Sequence, residues 1–348
     1  MSKGAPVGHT WRWIAGALVV LAGAALVGLT FGPAGPPWYR VLLDLVDSLP
    51  GISVHAGIAP QQHDLIWQIR MPRVVLAALV GGALSMSGAA YQGVFRNPLV
   101  DPYLLGVAAG AGLGATLVYA ARHGATSSWS VDPVVVAAFV GGLVAVALTY
   151  AAGTAFGIVR RSETLVLAGV AVVSFLTAIQ TYVLQKNSQI LRPVYSWILG
   201  QLVSATWGDV RLVLPYVTAA AVVLLLHGRL LDVLRVGDEE AASLGASVRR
   251  VRLTVVIAAT VATAAVVSVS GLIGFVGIMV PHIVRLLAGG SYRRVLPLSL
   301  IGGAAFLILC DLAGRMVIRP AELPIGVVTA FLGAPFFLLV LHARTRRT

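Results

Sequence analysis

Long apolar stretches recur along almost the whole chain and limit what it can fold into. Of the 348 residues, 58% are hydrophobic and only 11% are charged, whereas soluble domains carry about 25% charged residues. A helix needs about 20 apolar residues to cross the hydrocarbon core of a bilayer. The pattern therefore predicts an all-α integral membrane protein with about ten transmembrane helices. The expected spans are residues 13–31, 74–92, 103–121, 133–156, 164–185, 209–227, 252–270, 271–288, 295–313 and 323–341.

Basic residues are spread unevenly between the two sides that these spans define. An even number of spans puts both termini on one side, and most of the 25 Lys and Arg residues fall on that side. Because positive loops stay in the cytoplasm, we predict a multi-pass protein of the cytoplasmic (inner) membrane with both termini cytoplasmic. The net charge of +12 then reflects orientation in the lipid rather than nucleic-acid binding. No linker of low complexity divides the chain, so we expect a single domain over residues 1–348.

Two outer connections contain apolar segments that are too short to span a bilayer. Residues 38–49 and residues 195–201 are the segments concerned. Both predict short helices that lie at or partly in the membrane surface.

Residues 229–252 form a charged island between two apolar spans, with the sequence RLLDVLRVGDEEAASLGASVRRVR. Gly237 separates two short helical segments, and Asp238 is a good N-cap for the second. The island is expected to be cytoplasmic. It is either a surface where another protein docks or a solvated loop.

Three further groups of polar residues stand at the ends of spans. The turn RNPLVDP at residues 96–102 is either a capped turn or part of a gate at the inner mouth of a pathway. The segment RMPR at residues 70–73 is an interfacial anchor or a positive socket for an acidic partner. Asp311 and Arg315 are one helical turn apart and are placed to form an ion pair.

The sequence lacks the residues that several kinds of chemistry need. The chain has no G-x-x-x-x-G-K-S/T sequence to hold the phosphates of ATP. Its histidines and its one cysteine, Cys310, form no spacing that is typical of a metal site. We therefore expect a transport subunit that is not itself an enzyme and that binds no cofactor or metal.

Six segments, in register over nearly the whole chain, resemble the permease subunits of type II ABC importers, the family that takes up iron–siderophore complexes, haem and vitamin B12. They are RMPR at 70–73, QGVFRNPLVDP at 92–102, GDEEAASLG at 237–245, GLIGFVG at 271–277, the pair Asp311 and Arg315, and ELPIGVVTAFLGAP at 322–335.

The resemblance implies a homodimer of permeases, two separate ATPase subunits that bind ATP and Mg, and an extracytoplasmic substrate-binding protein. It implies that the island carries coupling helices, with the contact residues Gly237, Asp238, Glu239, Glu240, Ala241, Leu244 and Gly245. It places a cytoplasmic gate at Asn97, Pro98 and Leu99, and a second gate, by position only, at Ser162 and Glu163. Arg70, Arg73 and Arg315 become candidates for salt bridges to the binding protein.

The function implied is the import of a bulky metal chelate, with an iron complex favoured over cobalamin. The alternative is a secondary transporter driven by protons or sodium. Such a transporter needs an ionisable residue near the middle of the membrane, and Asp311 is the nearest candidate.

Overall fold

The computed structural model describes residues 8–32, 36–48, 57–122, 131–155, 162–245, 247–318 and 320–345, and every regular element in these ranges is helical. The α-helices are α1 (Gly8–Thr30), α2 (Trp38–Asp47), α3 (Pro60–Asp64), α4 (Met71–Phe95), α5 (Val107–Arg122), α6 (Pro133–Ala155), α7 (Ser162–Lys186), α8 (Leu191–Ile198), α9 (Trp207–Leu226), α10 (Gly228–Leu234), α11 (Asp238–Ser243), α12 (Val248–Ser270), α13 (Val276–Ala288), α14 (Tyr292–Val317) and α15 (Ile325–Thr345). A π-helical turn over Leu65–Arg70 precedes α4, and a 3-10 turn over Ser188–Ile190 precedes α8.

The predicted multi-pass helical architecture is confirmed. Within the described ranges, seven helices are long and apolar enough to cross a membrane: α1, α4, α6, α7, α9, α12 and α14. The other three predicted spans correspond to shorter helices: α5 has 16 residues, and α13 and Ile325–Val340 of α15 are short apolar helices.

Helix α4 is the centre of the bundle. It packs against α9, α12, α13 and α14, and every residue from 80 to 95 is buried. Glycines make this possible, because a side chain at Gly81 would clash with the carbonyl group of Gly303 and one at Gly88 with that of Gly277. Small residues let helix backbones approach closely where lipid removes the hydrophobic drive for association.

The prediction that a span begins at residue 271 was wrong. Residues 271–275 are not helical, and α13 starts only at Val276. Gly271 has a φ of 70° and Phe275 a φ of 68°, which lies in the left-handed region that only glycine adopts readily. The sequence gives no signal for this break, because the segment is as apolar as the helices around it.

Two short helices confirm the expected segments in the outer connections. Helix α2 covers most of residues 38–49, and α8 overlaps residues 195–201. Asp44 of α2 is buried and accepts a hydrogen bond of 2.9 Å from Nε1 of Trp67, and it lies 2.9 Å from Nδ1 of His63. This carboxylate therefore fastens α2 to the segment that leads into α4.

The close α4–α14 contact predicts that Gly81→Ala destabilises the protein. The added methyl group must push the backbone of Gly303 away, and such overpacking costs about 1–3 kcal/mol. Gly16→Ala in α1 is the matched control, because nothing lies within 4 Å of the position of its new methyl group. Thermal unfolding in detergent should show a lower Tm for Gly81→Ala alone. Equal Tm values for the two variants would contradict the tight contact.

Candidate functional site

The charged island folds as the two short helices that the sequence predicts, α10 and α11. Leu231 and Leu234 of α10 are buried, and so is Ala241 of α11, so one face of each helix packs on the bundle. Gly237 has a φ of 137° and Gly245 a φ of 83°, so a glycine stands just before and just beyond α11.

One detail of the island differs from the prediction. Gly237, not Asp238, is the N-cap of α11. Asp238 is the first helical residue, and its carboxylate lies 3.3 Å from Arg96 and 3.2 Å from Arg252. Asp238 therefore joins α11 to the end of α4 and to α12 instead of capping its own helix.

The outward face of α11 is unusual for a charged loop. Leu244, directly after the helix, is 70% exposed, although it is a large apolar side chain. Glu239 and Glu240 are exposed on the same short element. Both interpretations of the island, a docking surface and a solvated loop, fit this surface, because a single exposed leucine is common on proteins.

The turn after α4 is capped by its own side chains. Arg96 ends the helix with a φ of 52°. Oδ1 of Asn97 accepts a 2.9 Å hydrogen bond from the backbone N–H of Leu99, and Oδ1 of Asp101 accepts one of 2.7 Å from that of Tyr103. Leu99 itself is 54% exposed. The structure thus shows the capped turn, with Pro98 and Leu99 at its tip.

Burial raises the pKa of Asp101 to about 6, while the hydrogen bond from Tyr103 favours its charged form. A carboxyl group whose pKa is raised on folding lowers stability as the pH rises from its ordinary value through about 6. The turn is therefore most stable below this range.

Ser162 and Glu163, the second predicted gate, are the first two residues of α7. Their side chains lie outside the described part of the structure, so this assignment stays a prediction.

At the other end of α4, four charged side chains form an ion-pair network. Nη2 of Arg73 lies 2.8 Å from Oδ1 of Asp311 and 2.8 Å from Oε2 of Glu322. Nε of Arg315 lies 3.1 Å from Oδ2 of Asp311, which confirms the expected pair. Arg73, Asp311 and Arg315 are each less than 10% exposed, so these charges depend on each other for their compensation.

The three arginines that are candidates for salt bridges to a binding protein are engaged within the chain. Arg70 is 5% exposed and donates hydrogen bonds to the carbonyl oxygens of Leu29, at 2.8 Å, and Thr30, at 3.3 Å. Arg73 and Arg315 are engaged by the acidic residues of the network. The sequence did not show this because Arg73 and Asp311 are 238 residues apart.

A cavity of about 600 Å³ opens between α8, the non-helical segment 271–275 and α15. Its lining is apolar and includes Leu199, Phe275, Phe331 and Pro335. On the same helix, Leu338 and Leu339 are each 69% exposed, and on α7 Leu167 is 70% exposed. These surfaces are candidates for contact with lipid or with a second apolar protein surface.

Two residues that hold the site together were not singled out from the sequence. The side chain of Gln92 donates to the carbonyl oxygens of Val100 and Gly277 at 3.2 and 3.1 Å, which fixes the turn against α13. Asp232 accepts hydrogen bonds from Oγ of Ser291 and the N–H of Tyr292 at 2.6 and 2.7 Å. A glutamine inside an apolar span was the only available signal for the first of these contacts.

The network predicts that Asp311→Asn is strongly destabilising. The substitution leaves Arg73 and Arg315 buried with less opposite charge, and removing one partner of a buried ion pair costs about 3–5 kcal/mol. Asp64→Asn, on an exposed position of α3, removes the same charge as a control. Thermal unfolding of both variants should give a large loss of Tm for Asp311→Asn only, and an unchanged Tm would rule out a stabilising network.

A model of the FecCD transport family matches residues 12–343. Over 293 residues the chain is 42% identical to the uncharacterized ABC transporter permease protein YvrB of Bacillus subtilis, which covers 82% of this chain and 81% of that protein. Over 291 residues it is 39% identical to the cobalamin import system permease protein BtuC of Halobacterium salinarum, with 84% and 77% covered.

A solved structure, described as an inward-facing conformation of a metal-chelate type ABC transporter, shares the fold. The TM-score is 0.81 at 26% identity, over 95% of this chain and 99% of that chain. The family model and the solved structure both match nearly the full length of this chain. The chain belongs to the FecCD transport family and is a multi-pass permease of the ABC importer type.

Proposed function

We propose that two copies of this chain form the membrane channel of an importer for a bulky metal chelate in the cytoplasmic membrane, with both termini in the cytoplasm. The observation that carries the proposal is the island. A short helix is held to the bundle by one face and presents Leu244 and two glutamates on the other, in a chain whose sequence has no nucleotide-binding loop. Energy then comes from a separate ATPase subunit, which binds ATP and Mg.

The ATPase docks on the island, at residues 237–245. Helix α11 is short and rests on the bundle through Ala241, so a push on its outer face moves the helix as a unit. Asp238 transmits this movement, because its carboxylate contacts Arg96 directly before the turn that carries Asn97, Pro98 and Leu99. The ion pair between Asp238 and Arg96 thus connects the proposed docking helix to the proposed gate.

The second copy packs on the apolar faces of α7 and α15. Both helices expose leucines, and an apolar cavity lies beside Phe331. The second copy would cover these surfaces, or they would line a pathway along the dimer axis. A wall without charged groups suits a large ligand that must leave as easily as it enters. Ser162 and Glu163, at the start of α7, belong to the cytoplasmic mouth in this arrangement.

The substrate class follows from the relatives. One is named for cobalamin import and another is described as metal-chelate type, and both substrates are large complexes of a metal with an organic ligand. We favour an iron complex within this class. A secondary transporter has no support, because Asp311, its nearest candidate for ion coupling, is held between two arginines.

The three arginines, Arg70, Arg73 and Arg315, receive an extracytoplasmic binding protein in this proposal. Since they are engaged within the chain, acidic residues of the binding protein would have to compete with Asp311, Glu322 and backbone carbonyl groups. Docking could then loosen the ion-pair network at the outer end of α4 and α14.

The docking of the ATPase predicts that Leu244→Glu releases the ATPase or uncouples it. Leu286→Glu is the matched control, because Leu286 is 71% exposed near the same end of the bundle but lies outside the island. In proteoliposomes that contain the co-purified ATPase, ATP-dependent uptake should fall about tenfold, the equivalent of ~1.4 kcal/mol, for Leu244→Glu only. Coupled uptake that survives Leu244→Glu contradicts the docking. Uptake driven by an ion gradient without the ATPase contradicts the proposed function.

Binding-protein docking predicts that Arg70→Gln weakens the complex with the binding protein and makes it less sensitive to salt, because an electrostatic attraction is lost. Arg192→Gln, on the exposed face of α8, tests whether any outer arginine has this effect. The affinity is measured with purified permease in nanodiscs. Equal affinities for both variants and the unchanged protein would remove the arginines from the docking surface.

A further inference from the structure

A small cavity of about 180 Å³ lies beside the island, where α4, α10, α13 and α14 come together. Three arginines line it, Arg96, Arg235 and Arg285, together with Gln92 and Tyr292. Each arginine comes from a different part of the chain, so the fold collects three positive charges that are far apart in the sequence. Of the three, only Arg96 takes part in the proposed transport mechanism, through its contact with Asp238.

The guanidinium group of Arg285 is held in place but only partly used. Its Nη2 donates to Oε1 of Gln92, and that amide is itself fixed by its bonds to two carbonyl groups. The Tyr292 ring stands 5.9 Å from the guanidinium carbon. Nη1 of Arg285 is buried without a hydrogen-bond acceptor, while the side chain of Tyr292 interacts with the same guanidinium group. A buried donor without an acceptor is costly, so this guanidinium group is a positive charge that the chain satisfies only in part.

Two acidic residues near the cavity compensate its arginines only in part. Asp238 is shared between Arg96 and Arg252. Asp232 lies 3.9 Å from Arg235, but its two oxygens already accept hydrogen bonds at the start of α14. No Asp or Glu lines this cavity in the described part of the chain. Four arginines, counting Arg252, therefore share two carboxylates around the cavity, and a net positive charge remains.

We infer that this cavity binds a phosphate-bearing anion. Arginine donors match phosphate oxygens in number and direction and can form paired, charge-assisted bonds. A bound phosphate would lie beside Arg285 and would join Arg96, next to the proposed gate, to Arg235 at the end of α10. Two sources supply this chemistry, the headgroup of an acidic phospholipid and free inorganic phosphate. The inference does not depend on which substrate is transported.

The test uses the full-length permease with two probes. In detergent, inorganic phosphate is titrated against chloride at equal ionic strength, and the shift in Tm reports binding. In nanodiscs, phosphatidylglycerol is compared with phosphatidylcholine, and native mass spectrometry reports retained lipid. Arg235→Gln removes a charge from the cavity. Arg229→Gln, also exposed and on the same helix, removes the same charge away from it.

Arg235→Gln should weaken binding of the effective probe about tenfold, as expected for the loss of one charge-assisted hydrogen bond, and Arg229→Gln should leave it unchanged. Arg96→Gln is a second variant that should behave like Arg235→Gln. Binding of phosphate in detergent identifies a soluble ligand, and binding of phosphatidylglycerol alone identifies a lipid. The inference is overturned if the unchanged protein binds neither probe, or if Arg229→Gln loses as much affinity as Arg235→Gln.

Discussion

The ion-pair network of Arg73, Asp311, Arg315 and Glu322 fixes α4 and α14 against the connection that leads into α15. Arg73 starts α4, and Asp311 belongs to α14, so the network joins the two helices that make the closest contact in the bundle. Glu322 extends it to the connection that begins α15. Because each buried charge needs the others, the network forms only when all three elements are in place. It therefore selects one relative position of α4, α14 and α15.

The opposite end of α4 is held by weaker and more exposed contacts. Arg96 and Asp238 are both partly exposed, and exposed pairs contribute only about 0–1 kcal/mol. A contact of this strength can be broken and re-formed during a transport cycle. The molecule thus has one rigid end, at the ion-pair network, and one adaptable end, at the island and the turn after α4. In the proposed function, the adaptable end is the one on which the ATPase docks.

The sequence predicted the helices well because apolar length is a local property. The island was also predictable, since its charged residues interrupt the apolar pattern and Gly237 and Gly245 flank its second helix. The engagement of Arg73 with Asp311 was not, because residues far apart in sequence meet only through packing. The non-helical residues 271–275 were missed for a related reason. Their apolar side chains satisfy the same pattern as a span, while the contact of Gly271 with the backbone of α8 is tertiary.

Phe275 connects two helices that border the apolar cavity. Its left-handed backbone costs about 1–3 kcal/mol, and its ring occupies the space that a side chain at Gly333 of α15 would need. The ring also lies 6.2 Å from that of Phe337. The ring therefore packs directly against the backbone of α15, and rotation of α15 or sliding past α13 would change this contact. A single residue with a strained backbone therefore couples any movement of α15 to the non-helical segment before α13.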